Sequence, residues 1–513
     1  MGHTDREGRS AGRVLVLLLV LAGLARIAFA LAAPLWQEEA FLWMQARRPA
    51  LCYYHNPPLV SWAIALSTSI LGDTTLAVRL PALLFSTLAV VSVHALGLAL
   101  FRSASVALAG AALVLLFPFF NAFSFVVYHQ SPLLAFYALS LLFLARALGP
   151  GSRLSSWIAL GAASGLAALS QYIAVLLLPT GLLAILCDRD RRRLLLRSPG
   201  PYAALATAVL VASPVFVWGL KNDFENFRWH LSVRYDFSRA SARSALDHLG
   251  LQALAVSPVI YAALLAAAVA AIRRSGDAAF RFVAIAGAVP VAFFFALSPF
   301  AFVFAYYAGP GFLALAPGLA ALAAAGAKGF RPLAAAGGAV AALATLVMAA
   351  GASFHRTADA VFPGVEEHFA RERIAEAVLE IRRSFAPGRE PFLLAEDDYQ
   401  AAALAWFARL PDDTFALEHG PGHWQYHRWT RGGGSRSLLG RDAILVTEKI
   451  RAKDLARLAA GFESVEPLEP VRFGRGRARR VDVALLRGFR GFGEREDRCP
   501  FEHVESYVPL DER

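Results

Sequence analysis

Apolar residues dominate the chain up to about residue 352, and charged residues are interspersed with them beyond it. In lipid every backbone polar group must be satisfied internally, so long apolar runs predict helices. A hydrocarbon core of about 30 Å needs about 20 apolar residues in a helix. About eleven membrane spans are predicted on this basis, near residues 14–33, 75–100, 104–121, 131–148, 155–170, 172–187, 201–219, 251–272, 279–297, 303–326 and 332–352.

Arginine-rich loops predict the orientation of these spans, because cytoplasmic loops carry an excess of Lys and Arg. With a cytoplasmic N-terminus, every inside loop is basic. The basic residues of these loops are Arg102, Arg146, Arg153, Arg189, Arg191, Arg192, Arg193, Arg197, Arg273, Arg274, Arg281, Lys328 and Arg331. A signal peptide is the competing interpretation of the first apolar run, but many more spans follow it. We therefore predict a multi-pass protein of a bacterial inner membrane whose C-terminal segment is periplasmic.

Two long loops, near 34–74 and 221–250, are predicted at the outer face. In the first, Glu38 to Arg47 predicts an interfacial helix that turns Phe41, Leu42 and Trp43 towards lipid. The apolar segment from Leu59 to Leu71 is too short to span, so it is expected to lie in the interface or to re-enter.

The C-terminal part alternates segments with helical spacing and segments typical of strands. Strands are predicted at 391–395, 443–447 and 481–486, and helices at 366–384, 399–410 and 452–461. The predicted fold is thus a polytopic α-helical membrane domain, residues 1–352, followed by a small α/β periplasmic domain, residues 353–513.

Composition agrees with this division, since 57% of residues are hydrophobic and 17% charged, against about a quarter charged in soluble domains. The net charge of +11 is explained by the cytoplasmic loops, so no nucleic-acid partner is predicted. The three cysteines form no CxxC pair, which excludes a zinc ribbon or redox motif of that type. Cys52 and Cys499 fall on the same predicted side, and both a disulfide and two free thiols remain open.

Glu38 and Glu39 are the candidate catalytic residues, because they are acidic and follow the first span directly. A carboxylate at the outer face can take a proton from an acceptor hydroxyl or help to hold a divalent metal ion. The alternative from spacing alone is a solvated interfacial surface.

Further polar residues lie near the predicted outer ends of the spans, where they either anchor the protein at the interface or bind an anionic head group. The candidate substrate-binding residues are Tyr54, His55, Asn56, Arg79, His129, Gln130, Gln171, Tyr172, Lys221 and Arg228. In the second loop, cations mixed with aromatic residues suit a lipid phosphate and its first prenyl units, and equally suit plain anchoring.

These motifs resemble those of the protein-mannosyltransferase-like GT-C families, which include glycosyltransferase family 39, the lipid A aminoarabinose transferases and the related galacturonosyltransferases. The segment Glu38-Glu39-Ala40-Phe41-Leu42-Trp43 is similar to the family's Asp-Glu-Ala-Tyr-Tyr-Trp. Other matching segments are Tyr53-Tyr54-His55-Asn56-Pro57-Pro58-Leu59, Val78-Arg79-Leu80-Pro81, Gln130-Ser131-Pro132-Leu133, Ser170-Gln171-Tyr172, Asp398-Tyr399-Gln400 and Trp424-Gln425-Tyr426.

The resemblance implies a polyprenyl-phosphate-linked sugar as donor and a lipid A, glycan or protein acceptor at the outer membrane face. It implies that Glu38 acts as the base of an inverting displacement, with Glu39 and Arg79 in supporting positions. It implies no certain cofactor, although a divalent metal ion remains open.

Departures from the family's motifs bear on catalysis. Glu38 replaces an Asp, His55 and Gln130 stand where Asp residues are usual, and Gln171 replaces a Lys that contacts phosphate. Carboxamides supply neither a base nor a cation, which keeps a non-catalytic paralogue as the alternative function. Our hypothesis is that a cation of the second loop restores the lost charge, from among Lys221, Arg228 and Arg234. A transporter ranks last, because inverted repeats and mid-membrane charges are not evident.

Overall fold

The computed structural model describes residues 2–228, 230, 241–327, 329–353, 370–416, 436–448, 458–459, 461–473 and 479–490. The chain divides into two compact units. The membrane unit comprises Met1–Ala33 and Pro49–Ser353, and the C-terminal unit comprises Pro34–Arg48 and Phe354–Arg513. The short segment that carries Glu38 and Glu39 is therefore part of the C-terminal unit.

Helices make up nearly all of the described membrane unit. In chain order, the described α-helices of the two units are α1 (Gly2–Ala32), α2 (Gln37–Ala46), α3 (Leu59–Leu71), α4 (Thr75–Phe101), α5 (Ala104–Leu116), α6 (Pro118–Phe125), α7 (Gln130–Ala147), α8 (Leu154–Ser170), α9 (Leu177–Leu186), α10 (Leu194–Arg197), α11 (Gly200–Lys221), α12 (Glu225–Arg228), α13 (Ala242–Val256), α14 (Pro258–Arg273), α15 (Ala278–Leu297), α16 (Gly309–Ala324), α17 (Phe330–Ser353), α18 (Arg371–Arg383) and α19 (Asp398–Ala408).

Six helices of the described chain are long and apolar enough to cross a membrane, or up to eight if two bent pairs each count as one span. The chain is thus a multi-pass membrane protein. The helix α3 has the 13 residues predicted for the short apolar segment. Two other apolar helical segments, at 154–170 and 172–186, are also shorter than a full span.

Two predicted spans are not single straight helices. The span predicted at 251–272 is wrong in this respect, because α13 and α14 meet there at a 107° bend. Ser257 at the bend has a φ of 94°, in the left-handed region, and Pro258 lacks the N–H that a continuous helix needs. Similarly, Pro118 separates α5 from α6, which are bent by 69°.

The helix α8 packs closely against α11, and this packing positions the polar residues that follow α8. A Cβ atom added to Gly161 would lie 2.3 Å from the carbonyl oxygen of Ala204, and one added to Gly165 would lie 2.6 Å from Val211 Cβ. Small residues four apart on one helix let two membrane helices approach closely. This contact positions the C-terminal end of α8, where Gln171 and Tyr172 follow.

The C-terminal unit contains a mixed sheet. Its strands are β1 (Phe392–Ala395), β2 (Thr414–Ala416), β3 (Ala443–Thr447), β4 (Phe462–Pro467), β5 (Val471–Phe473) and β6 (Arg479–Phe489). The order is β2-β1-β3-β6-β4, with β5 also paired to β6. The pairs of β1 with β2 and β3 are parallel, whereas β6 pairs antiparallel with β3, β4 and β5.

The predicted strands near 391–395, 443–447 and 481–486 are confirmed, as are the helices α18 and α19. The strands β2, β4 and β5 were not predicted, because β2 and β5 have only three residues each and four of the six residues of β4 are exposed. Most of the helix predicted at 452–461 lies outside the described residues.

The helix α2 packs against α19 within the C-terminal unit. The rings of Trp43 and Trp406 meet edge to face at 4.9 Å between centroids, and Phe41 lies 4.9 Å from Tyr399. Phe41 and Trp43 are thereby buried in protein. The prediction of a helix here is confirmed, but the prediction that this surface faces lipid is wrong, because aromatic residues of α19 cover it.

Candidate functional site

A buried polar cluster joins three distant segments of the membrane unit. The amide Nδ2 of Asn226 in α12 donates to the hydroxyl of Tyr172 at 2.9 Å. The same nitrogen lies 3.8 Å from Cys52 Sγ, and Cys52 Sγ lies 3.8 Å from the Tyr172 hydroxyl. Asn226 and Cys52 are almost fully buried. The break after α8, the first loop and the second loop therefore meet at one place.

A second contact joins the same two loops. His230 Nε2 lies 2.8 Å from the carbonyl oxygen of His55, and the His230 ring packs edge to face on Tyr172 at 4.8 Å. Tyr54 packs edge to face on His55 at 4.9 Å. These contacts connect the turn before Pro57 and Pro58 to the second loop.

Burial favours the protonated forms of two side chains in the first loop, Cys52 and Tyr53. Desolvation raises the pKa of the Cys52 thiol to about 12 and also raises the pKa of the Tyr53 hydroxyl. A thiol in this state carries no nucleophilic thiolate at neutral pH. Cys52 therefore acts as a small buried packing residue, and Cys499, the other cysteine on the same predicted side, lies outside the described residues.

Arg79 is nearly fully buried in α4 and turns towards α1. Its Nη1 donates to the carbonyl oxygen of Ala33 at 2.7 Å, and its guanidinium carbon lies 5.0 Å from the centre of the Phe29 ring. Of the two interpretations open from sequence, snorkelling to the interface is wrong, because protein encloses this side chain.

At the start of α7, His129 and Gln130 are each about 1% exposed. Neither His129 Nδ1 nor either amide atom of Gln130 has a hydrogen-bond partner within the described chain. Burial lowers the pKa of His129 to about 3, so its imidazole is neutral at pH 7. Gln171 is also buried, and its amide oxygen likewise has no hydrogen-bond partner within the described chain. Unsatisfied buried polar groups are rare in folded proteins and point to a missing ligand or water.

The two candidate catalytic carboxylates lie in the first turn of α2 and differ in their surroundings. Glu39 is fully buried, and its Oε2 accepts a hydrogen bond from the Trp36 N–H at 3.0 Å, which caps the start of the helix. Glu38 is half-buried, and its only described partner is Gln37 Nε2, at 3.5 Å from Oε1. Its Oε2 has no hydrogen-bond partner among the described residues.

Of the other predicted residues, Lys221 and Arg228 are exposed. Asn56 is half-buried and contacts the cluster, since its carbonyl oxygen accepts from the Tyr53 N–H at 3.2 Å and lies 3.7 Å from Cys52 Sγ. Arg234 and the segment 424–426 lie outside the described residues. Within the residues that the structure describes, no three His, Cys, Asp or Glu side chains come together as a metal site.

Two residues of interest were missed from the sequence. Asn226 gives no signal by itself, since an amide in an outer loop is commonplace. Arg26 did give a signal, because it is a lone cation within the apolar run of α1, and the structure buries it.

Residues 55–218 match the family model described as dolichyl-phosphate-mannose-protein mannosyltransferase. The predicted family resemblance is confirmed. This segment contains the turn at His55, the arginine at 79 and the polar groups at 129–130 and 171–172. Among curated proteins, no sequence matches the chain significantly.

Solved structures of ArnT from Cupriavidus metallidurans share the fold over almost the whole chain. The apo structure has a TM-score of 0.61 at 17% identity and covers 92% of this chain and 98% of that one. The structure bound to undecaprenyl phosphate has a TM-score of 0.63 at 18% identity and covers 91% and 97%. The chain therefore has an ArnT-like fold, with a helical membrane unit and a mixed α/β sheet unit.

Proposed function

We propose that the protein is a membrane glycosyltransferase that transfers a sugar from a polyprenyl-phosphate donor to a lipid, glycan or protein acceptor. The observation that carries the proposal is the family match over residues 55–218. That segment holds most of the predicted substrate-binding residues. The acceptor class, including lipid A, follows from the resemblance alone.

The buried polar groups of the membrane unit support a hydroxyl-rich ligand. Gln130 and Gln171 offer unsatisfied amide atoms, and His129 offers an unsatisfied ring nitrogen. A sugar can satisfy such groups with its hydroxyls, and removing the sugar leaves them unpaired at a cost of about 1–3 kcal/mol each. The undecaprenyl phosphate in the similar ArnT structure supports the lipid part of the donor.

We assign the role of base to Glu38 and a positioning role to Glu39. Glu39 is engaged at the start of α2, whereas one oxygen of Glu38 has no described partner. In the proposed step, Glu38 accepts the proton of the acceptor hydroxyl. The acceptor oxygen then bonds to the anomeric carbon, and the bond from that carbon to the phosphate oxygen breaks. The polyprenyl phosphate leaves with the bonding electron pair.

The proposed reaction takes place at the periplasmic face of a bacterial inner membrane. This orientation rests on the basic loops and places the N-terminus in the cytoplasm. It also requires that the shorter apolar helices, such as α8 and α9, cross the membrane together with the longer ones, which gives about eleven spans.

The test uses the purified full chain in lipid nanodiscs with a panel of polyprenyl-phosphate sugars and extracted envelope acceptors. Release of polyprenyl phosphate is measured. We expect Glu38→Gln to lower the rate by about 10² to 10⁴-fold, the usual contribution of a general base. Glu39→Gln keeps an oxygen that can accept from the Trp36 N–H, so we expect a much smaller loss. Equal activity of Glu38→Gln and the parent protein would refute the assignment.

The alternative is a non-catalytic paralogue that binds polyprenyl-phosphate glycans or assists envelope assembly. Gln130 and Gln171 favour it, since they replace residues that are usually charged in the family. It predicts tight binding of polyprenyl phosphate and no release from any sugar donor in the panel.

A further inference from the structure

Arg26 is a buried cation in a helix whose surface is otherwise mostly open. Only 22% of the apolar window of α1 is buried, yet Arg26 is 3% exposed. It shares the buried stripe of α1 with Leu15, Phe29 and Ala33. This spacing of three, four and seven residues marks the face of a helix that turns towards protein.

Among the described residues, no acidic side chain pairs with the guanidinium of Arg26. Its Nη1 and Nη2 are inaccessible to solvent and form no hydrogen bond with the chain as far as the structure describes it. A guanidinium stays protonated at any physiological pH, so it cannot escape the cost of burial by losing its proton. A charged side chain inside a span normally faces a partner or a cavity, and it marks a functional site by default.

A second arginine approaches the same stripe. Arg79 lies over Phe29, three residues after Arg26, and donates to the carbonyl of Ala33, seven residues after it. At 1.5 Å per residue, these positions span about 10 Å along the axis of α1. The two arginine side chains, Arg26 and Arg79, therefore lie along one short stretch near the C-terminal end of α1.

We propose that Arg26 binds the phosphate of a polyprenyl phosphate within the membrane unit. A phosphate offers several charged oxygens and suits the fork of donors on a guanidinium. A phosphate on an isoprenoid chain can enter from the lipid, in which the exposed side of α1 lies. The assignment rests on the proposed donor class, and it places the compensating cation on α1 rather than in the second loop.

The test measures binding of undecaprenyl phosphate to the full chain in detergent, by native mass spectrometry and by the shift in thermal unfolding. Neutral undecaprenol and phosphatidylglycerol are the comparison ligands. The variants are Arg26→Gln, Arg26→Lys and Arg26→Met, and the matched control is Arg13→Gln, which changes an exposed arginine of the same helix. We expect about tenfold or greater loss of undecaprenyl-phosphate affinity in Arg26→Gln and Arg26→Met, partial recovery in Arg26→Lys, and no change in Arg13→Gln.

Stability without lipid supplies a second readout. If Arg26 awaits a ligand, Arg26→Met removes an uncompensated buried charge and should raise the unfolding temperature of the ligand-free protein. A purely structural arginine would give the opposite sign. Unchanged affinity in Arg26→Gln would overturn the proposal, and so would equal protection by phosphatidylglycerol, which would indicate a general phospholipid site. Binding that depends on Arg26 without any sugar transfer would refute the proposed function and leave this inference intact.

Discussion

The two halves of the first loop have different partners in the structure. The first half, α2, contains the carboxylates and packs against α19 through the Trp43–Trp406 and Phe41–Tyr399 contacts. The second half, residues 52–58, belongs to the membrane unit and contacts α12 and the end of α8. Aromatic packing holds the first half, and polar contacts hold the second. The loop is thus one sequence motif that serves two separately packed units.

The two halves also differ in their proposed roles. The proposed base belongs to the C-terminal unit, whereas the residues that match the family model belong to the membrane unit. Each half can be tested through a residue that packs within its own unit.

The largest effect is expected from Trp43→Ala. Removing a buried tryptophan typically costs about 3–5 kcal/mol, so α2 should detach from α19 and transfer should fall with it. Unfolding of the full chain, followed by near-ultraviolet circular dichroism and limited proteolysis, measures the change. In a double-mutant cycle with Trp406→Ala, we expect a coupling of about 1 kcal/mol. Full additivity would show that the ring contact does not stabilise α2.

Asn226→Ala should affect the other half. It removes the hydrogen bond to Tyr172 in a buried setting, and we expect a loss of about 1–2 kcal/mol. The thermal midpoint of the membrane unit and the KM for the sugar donor are the measurements. Leu220→Ala, which changes an exposed residue of the neighbouring helix α11, is the control. If Trp43→Ala and Asn226→Ala each lowered protection of both halves equally, the division of the loop would be wrong.

Acidification should weaken the membrane unit through His129. Its pKa is lowered to about 3 in the folded protein, against about 6.5 in an unfolded chain. The unfolded state therefore binds more protons between these values, and stability falls as the pH drops below about 6.5. Between pH 7 and 5.5 we expect a loss of about 1 kcal/mol, measured by thermal unfolding. In His129→Asn this pH-dependent loss of stability should be absent. An identical pH profile in both proteins would show that His129 is not its cause.

The smallest effect is expected from Asp412→Asn. Asp412 pairs with Arg47 at 3.8 Å and with Arg48 at 4.0 Å, and its side chain is 81% exposed. Ion pairs this exposed contribute little, so the loss in unfolding free energy should stay below about 0.5 kcal/mol. A loss comparable to that of Trp43→Ala would mean that charge, rather than aromatic packing, holds α2.

Length and periodicity were enough to predict most helices of the membrane unit and three of the six described strands of the sheet, namely β1, β3 and β6. The runs at 75–100 and 279–297 became α4 and α15, because an apolar segment of this length has one stable conformation in lipid. The bend at Ser257 was not predictable from hydropathy, which is continuous across it. The motif around Tyr53-Tyr54-His55 drew attention to the first loop, but spacing could not show which groups touch Tyr172.

The sequence by itself determined that this protein is a multi-pass membrane protein with a GT-C-type motif set, because apolar length and local motifs are properties of contiguous residues. Only the tertiary structure decided that α2 packs within the C-terminal unit, that Asn226 reaches Tyr172 and that the buried Arg26 has no acidic partner among the described residues. Those facts depend on residues that are far apart in the chain, and burial and pairing arise only when such residues are brought together.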